Sequence, residues 1–351
     1  MKITRLKKIT VLVAGFALVA GLAACGGGSG TNPSTSPTDT KAASAMGAWD
    51  KNGDGLITVG FCQTGAESGW RTANTQSFQA YFTEANGFKL VFEDANGDDA
   101  TQKGQFRDLV QQGVEVIVVQ PLTNDGWQQY LQEAKDAGIP VINSDRQLTG
   151  MDNLYTFFFG SDMKAEGDRA VEWLAKYITD NKITDPINIV HLQGQMGSTA
   201  QVGRSQGLDA GVAKYGWKVV ATQTGAFARD KGQAAMVSIL NSIKSTDFNV
   251  LYSENDDMTY GAIDAMVAKG MDPTKYIIIS FDGNKTAMQM VVQGKIKAIS
   301  QCNPLLGPQV GDLIKRASKG ETIPSPQYSQ EVLIDINNAQ QMLDAGQTFG
   351  S

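Results

Sequence analysis

From residue 56 onward the chain alternates short runs of apolar and β-branched residues with longer stretches of helical period. Leu56 to Phe61, Lys89 to Glu93, Val116 to Val119 and Val141 to Asn143 read as strands. The segments between them close at Asn86-Gly87, Gly113 and Gly138, where Gly or Asn suits the turn that ends a helix. Strand, helix, strand in that order predicts βαβ units and a parallel sheet. The pattern resumes after Ser161, with strands at Ile187 to Leu192, Lys218 to Thr222, Val250 to Tyr252, Tyr276 to Ser280 and Lys297 to Gln301. Two similar α/β lobes follow one another, and no loop in either is long enough to be a separate module.

Four strands run into compact polar clusters: Thr64-Gly-Ala-Glu-Ser-Gly-Trp-Arg71, Ser144-Asp-Arg146, Glu254-Asn-Asp-Asp257 and Phe281-Asp-Gly283. Ligands of open parallel α/β sheets bind beyond the carboxyl ends of the strands, so these clusters are expected to form one cleft. A sugar hydroxyl both donates and accepts, which suits carboxylate acceptors beside arginine donors. Aromatic faces suit the C–H surface of the ring.

The amino-terminal region has a different character. Lys2, Arg5, Lys7 and Lys8 precede the apolar run Val11 to Ala20, which is too short to stay in a bilayer as a span. Residues 1–24 read as a signal peptide. It ends in Leu22-Ala-Ala-Cys25, which resembles the lipobox of bacterial lipoproteins and implies a diacylglyceryl thioether on Cys25. The Gly- and Ser-rich stretch that follows reads as a flexible tether over 25–55. The expected protein is extracytoplasmic and anchored to the cell membrane through lipid alone. About 300 residues remain beyond the tether, which favours two domains.

Charge and chemistry narrow the function further. The chain carries 36 acidic and 30 basic residues and no basic run after the signal, so nucleic acid is not an expected partner. Asp50-Lys-Asn-Gly-Asp-Gly55 begins like a calcium loop, but its twelfth position is Phe61 where a bidentate Glu is needed. It reads as a turn into the first strand. The one histidine, His191, lies inside an apolar run and reads as a core residue, not as a metal ligand or triad base. Gly60, Gly65 and Gly69 do not make a dinucleotide fingerprint, and no Walker loop is present. Neither cofactor nor metal is expected. Asp256 and Asp257 are adjacent, so one backbone aims them apart, and only Asn255 or one of the two can enter a cleft. An oxidising compartment permits a Cys62–Cys302 disulfide without requiring it; both thiols end apolar runs, where a small buried cysteine is ordinary.

These residues carry a resemblance to a family. From Leu56 to about Gln340 the chain resembles the periplasmic sugar-binding proteins of ABC transporters, in the ribose-type cluster and nearest its galactofuranose-binding branch. The matching stretches are Val59-Gly-Phe61, Glu67-Ser-Gly-Trp-Arg71, Asp145-Arg146, Leu192-Gln-Gly194, Arg204-x-x-Gly207, Phe227-x-Arg229, Asn255-Asp-Asp-Met258 and Phe281-Asp-Gly283. The resemblance implies two Rossmann-like parallel-sheet lobes joined by a three-crossover hinge, the periplasmic binding protein type I fold. The first lobe would take 56–161 and 302–330, and the second 162–301 and 331–345. It places the sugar contacts on Glu67, Ser68, Trp70, Arg71, Asp145, Arg146, Arg204, Phe227, Asn255 and Asp282. Gln301 or Asn303 could each add one, and Asn303 is taken as the candidate.

Where ribose binders resemble a pair of stacked phenylalanines, this chain has Trp70-Arg71. Exchanging one aromatic for an arginine fork suits an extra exocyclic hydroxyl, which favours a sugar in furanose form, of galactofuranose, arabinofuranose or fructose type. The implied protein is a monomeric solute-binding protein, not an enzyme, that closes over a monosaccharide and delivers it to permease subunits. A sensor presenting the sugar to a membrane receptor or kinase is the alternative. A repressor of the same fold would need an amino-terminal DNA-binding domain where the lipobox stands. A glycosidase would need Asp145 or Asp282 as its acid, but the three arginines are expected to keep both ionised.

Overall fold

A computed structural model describes residues 46–350. The signal segment and Cys25 lie outside the described residues. The first half runs β1 (Ile57–Gln63), α1 (Gly69–Tyr81), β2 (Phe88–Asp94), α2 (Asp99–Gln112), β3 (Val116–Val119), α3 (Gln128–Asp136), β4 (Val141–Asp145) and β5 (Phe157–Gly160). The second half repeats the plan: α4 (Met163–Asp180), β6 (Asn188–Gln193), α5 (Thr199–Tyr215), β7 (Lys218–Thr224), α6 (Arg229–Ser242), β8 (Val250–Ser253), α7 (Asp256–Ala268), β9 (Ile277–Asp282), α8 (Lys285–Val292) and β10 (Ala298–Gln301). The chain closes with α9 (Gly307–Ser318), β11 (Gln327–Tyr328), β12 (Leu333–Asp335) and α10 (Ala339–Asp344).

Two six-stranded sheets result, ordered β2-β1-β3-β4-β5-β11 and β7-β6-β8-β9-β10-β12. Eleven strands, β1 to β11, pair parallel with their neighbours; β12 alone runs antiparallel, against β10. The chain crosses between sheets three times, from β5 to α4, from β10 to α9 and from β11 to β12. These are the two lobes and the three-crossover hinge.

Helices cover both faces of each sheet, so the central strands are buried throughout and read as continuous apolar runs. In the first lobe one face packs Phe61, Phe78, Phe88 and Val310, the other Ile117, Phe106 and Trp127. The second lobe repeats this with Val190, Met236 and Ile278 on one side and Ile189, Leu208 and Phe281 on the other. Helices α4 and α5 approach backbone to backbone. A Cβ on Gly207 would sit 2.4 Å from the Gly167 carbonyl carbon, so only glycine fits there.

One expectation changes. The tether does not reach residue 55: from Met46 the chain is packed, with Met46 and Trp49 against the first lobe's core and Ala48 N donating to Ser318 O at 2.8 Å. An apolar Met and Trp in an otherwise polar stretch outweigh its Gly content. Asp50 closes its own turn, Oδ1 accepting from Gly53 N and Oδ2 from Gly55 N. Cys62 and Cys302 are both free and buried, Cys62 Sγ beside Gln102 O and Cys302 Sγ 3.3 Å from Ser161 Oγ.

Candidate ligand-binding cleft

Both sheets reverse their strand order beside the first strand of their lobe, between β1 and β3 and between β6 and β8. That reversal opens a crevice at the carboxyl ends. The first lobe fills it with the β1–α1 loop and the end of β4; the second fills it with α5, the loop after β7 and the end of β9. The narrow cavity between them is walled by Glu67, Ser68, Trp70, Arg71, Asp145, Arg146, Met163, Ala200, Arg204, Phe227, Asn255, Asp282 and Cys302. Ten of the eleven residues named from the sequence therefore meet in one space.

Asp145 and Asp282 occupy matching places, the last residues of β4 and β9, fourth in each sheet order. Each has a left-handed backbone, φ 62° and φ 89°, and Phe227 shares it at φ 65°. For a bulky residue such as Phe this is an unusual conformation, and such strain gathers where a side chain must be aimed. Gly194 leaves the room: a Cβ there would lie 2.0 Å from the Phe227 ring. Glu254 ties the same corner together, accepting from Gly194 N at 2.7 Å and from Ser205 Oγ at 2.7 Å. It also meets His191 Nε2 at 2.9 Å, so the buried histidine is a satisfied core residue.

The arginines are held by carboxylates. Arg71 NH2 pairs with Asp145 at 2.7 Å, its Nε donates to Glu67 at 3.2 Å and its NH1 to Gln120 Oε1 at 2.7 Å. Three of its five N–H groups are thus committed within the protein. Arg146 is looser, with NH2 on Glu67 at 3.1 Å and NH1 on Leu122 O at 3.3 Å. Arg204 Nε donates to Glu166 at 2.7 Å and its NH1 to Glu254 O, leaving NH2 facing Asp282 at 3.4 Å. The Phe227 ring lies between Arg146 and Arg204, 5.4 and 5.8 Å from its centroid.

Burial works to raise Glu67, yet the guanidiniums of Arg71 and Arg146 outweigh it and hold this carboxyl below its ordinary range. Asp282 goes the other way. Burial pushes it up to about 7, against Arg204 and with help from Asp257. The expectation that the arginines keep both cleft aspartates ionised is therefore corrected for Asp282, because desolvation in a narrow cavity exceeds the attraction of one shared guanidinium.

Two polar residues of the wall are occupied by capping. Ser68 Oγ accepts from Arg71 N at 3.1 Å as the N-cap of α1. Asn255 caps α7 through Met258 N, and its Nδ2 donates to Phe227 O at 2.9 Å. Asn303 is not in the cavity. Its N donates to Glu331 Oε1 and its Oδ1 accepts from Leu305 N, so it folds the turn before α9 and faces a separate depression shared with Gln301 and Phe349. Its neighbour Cys302 lines the wall instead. Met163, Ala200 and Cys302 escaped sequence reasoning because single apolar residues carry no pattern of their own.

The profile of the periplasmic binding protein domain matches residues 59–322. The chain belongs to the periplasmic binding protein family. This family member is 32% identical to the galactofuranose-binding protein YtfQ of Escherichia coli over 76% of its length and 84% of the relative's. It is 29% identical to the fructose import binding protein FruE of Bifidobacterium longum over 96% of its length and 97% of the relative's. A Mycobacterium smegmatis protein crystallised with β-D-fucofuranose is 40% identical and superposes with a TM-score of 0.78, covering 83% of this chain and 95% of that one. In this binding protein the lobes touch across the cleft. Gly69 N donates to Asp257 Oδ2 at 2.9 Å, and Asn124 N to Gly197 O at 3.3 Å. No described helix is long and apolar enough to cross a membrane.

Proposed function

We propose that this chain is the solute-binding protein of an ABC importer for a monosaccharide taken in furanose form. The observation that carries the reading is the composition of the wall: three carboxyl groups, three guanidiniums and two aromatic faces around one narrow space. Each guanidinium already faces a carboxyl group of the protein, which disfavours an ionic ligand, while alternating donors and acceptors match neutral hydroxyls. The furanose form rests on the relatives named for galactofuranose and crystallised with fucofuranose. No bond is made or broken; the lobes close on the ligand and the closed form is what a permease receives. A lipid on Cys25 would keep the protein beside that permease, and Cys25→Ser should move it from the membrane to the soluble fraction.

Calorimetric titration against galactofuranose, arabinose, fructose, ribose, xylitol, myo-inositol and glucuronate tests the proposal. Sugars that populate a furanose form should bind most tightly. Tightest binding of glucuronate would remove the neutral-sugar reading, and a preference for myo-inositol would remove the furanose form.

A further inference from the structure

Behind the cavity, where the three crossovers meet, lies a second set of buried titratable groups. Ser161 belongs to the first crossover, Gln301, Cys302 and Asn303 to the second, Ser329 and Glu331 to the third. Glu331 Oε1 accepts from Ser161 Oγ at 2.5 Å, Ser329 Oγ at 2.7 Å and Asn303 N at 3.0 Å, so it ties all three together. Arg169 NH2 adds Gln301 O at 3.1 Å and Glu331 Oε2 at 3.4 Å. Glu166, fully buried in the first turn of α4, joins this knot to the cleft. Its Oε2 takes the Arg204 Nε–H at 2.7 Å, while its Oε1 is buried without a hydrogen-bond partner. Donor atoms of Glu166, Cys302 and Glu331 lie within 4.8 Å of one another.

A metal ion suits this place poorly. Arg204 and Arg169 already supply positive charge there, and burial pushes the Cys302 thiol well up, away from the thiolate a metal requires. A proton suits it well. Glu166 faces Arg204 from α5, Arg169 from its own helix, Glu331 and Cys302 from the crossovers and Tyr252 from β8; Asp282 at the end of β9 shares the same Arg204. Two carboxylates thus compete for one guanidinium. A proton on Oε1 leaves Oε2 as a neutral acceptor that still aligns Arg204, and leaves the cation's charge to Asp282 and the ligand.

We infer that Glu166 is a positioning residue of the sugar site: in protonated form it sets Arg204 against the ligand, and closing the lobes over a sugar takes up that proton. The inference rests on the cleft being a sugar site. Burial pushes the Glu166 carboxyl up to about 8 in the closed molecule, Arg204 opposing and Glu331 adding to the rise. Under this proposal, opening readmits water to the Arg204 side of the carboxyl and lowers it. The closed form therefore binds the proton more tightly, so affinity falls as pH rises between the open and closed values, by up to about tenfold per pH unit, and levels off above about 8.

The test titrates the full chain with the best sugar of the panel from pH 6 to 9, in buffers of different ionisation enthalpy. Wild type should take up protons on binding near pH 8, where Asp282, at about 7, is already largely ionised. Glu166→Gln should lose that uptake and the fall in affinity through pH 8, while restoring most of the affinity that Glu166→Ala loses, about tenfold for the alanine. Uptake that is absent in wild type, or unchanged in Glu166→Gln, overturns the inference. If no sugar binds, the sugar reading fails, and infrared difference spectra of wild type minus Glu166→Gln still decide Glu166. A protonated-carboxyl band at pH 7 supports it, and a carboxylate band alone refutes it.

Discussion

Arg71 and Arg146 differ in a way their shared residue type hides. Arg146 spends one contact on Glu67 and one longer one on a carbonyl, its Nε lies 3.8 Å from Asp145, and it lines the cavity. Arg146→Ala should cost about 2–4 kcal/mol of sugar affinity, the order expected when a charged partner is removed from a desolvated polar contact. Titration calorimetry reads it directly, and unchanged affinity would place the ligand elsewhere. Arg71 is chiefly a clamp. On the sequence alone, replacing it by Phe recreates a ribose-type aromatic pair and favours pentoses. Instead it strands Asp145 and Gln120 in buried positions, so Arg71→Phe should weaken pentoses and hexoses alike by more than about 1–3 kcal/mol, without a switch in preference. A variant that gained ribose relative to hexofuranoses would restore the aromatic-pair argument.

At the scale of elements, the pairing of α4 with α5 decides where Arg204 stands. The motif Arg204-x-x-Gly207 puts the arginine and the glycine on one helix face, one turn apart, and the glycine lets that face press against α4. Gly207→Ala forces the two backbones apart and should cost about 1–3 kcal/mol of stability, with sugar affinity falling too as Arg204 leaves Glu166. Thermal unfolding and calorimetry on the same variant check both halves; a variant of unchanged stability would show that the helices have slack. The same scale explains what pattern analysis missed. Strand β5 is a short aromatic run with no helix before it to separate it from β4. Strands β11 and β12 have two and three residues and exist only through the partners they meet.

At the scale of the molecule, closure depends on contacts that no ligand makes. Asp257 accepts Gly69 N from the opposite lobe at the mouth of the cleft, outside the cavity wall. Asp257→Ala should leave the sugar contacts intact and weaken the closed state by about 1 kcal/mol, seen as a roughly fivefold faster release in stopped-flow fluorescence. Unchanged release would mean that the ligand alone holds the lobes together.

Several features of this protein follow from its sequence alone. The period of its apolar runs dictates two successive βαβ lobes, because buried parallel strands and amphipathic helices have distinct spacings. The polar clusters after β1, β4, β8 and β9 locate the cleft, because parallel strands all deliver their carboxyl ends to one edge. Roles within the cleft were beyond that reach. Which arginine N–H groups remain free, why Asn303 turns away while Cys302 faces in, and why Asp282 rises to about 7 while Glu67 is held down all depend on partners brought from distant segments. Glu166 shows the limit most plainly. It is one acidic residue in a helix that also holds Asp168 and Glu172, and only folding places it behind the cleft, between Arg204 and the three crossovers, where water no longer reaches it.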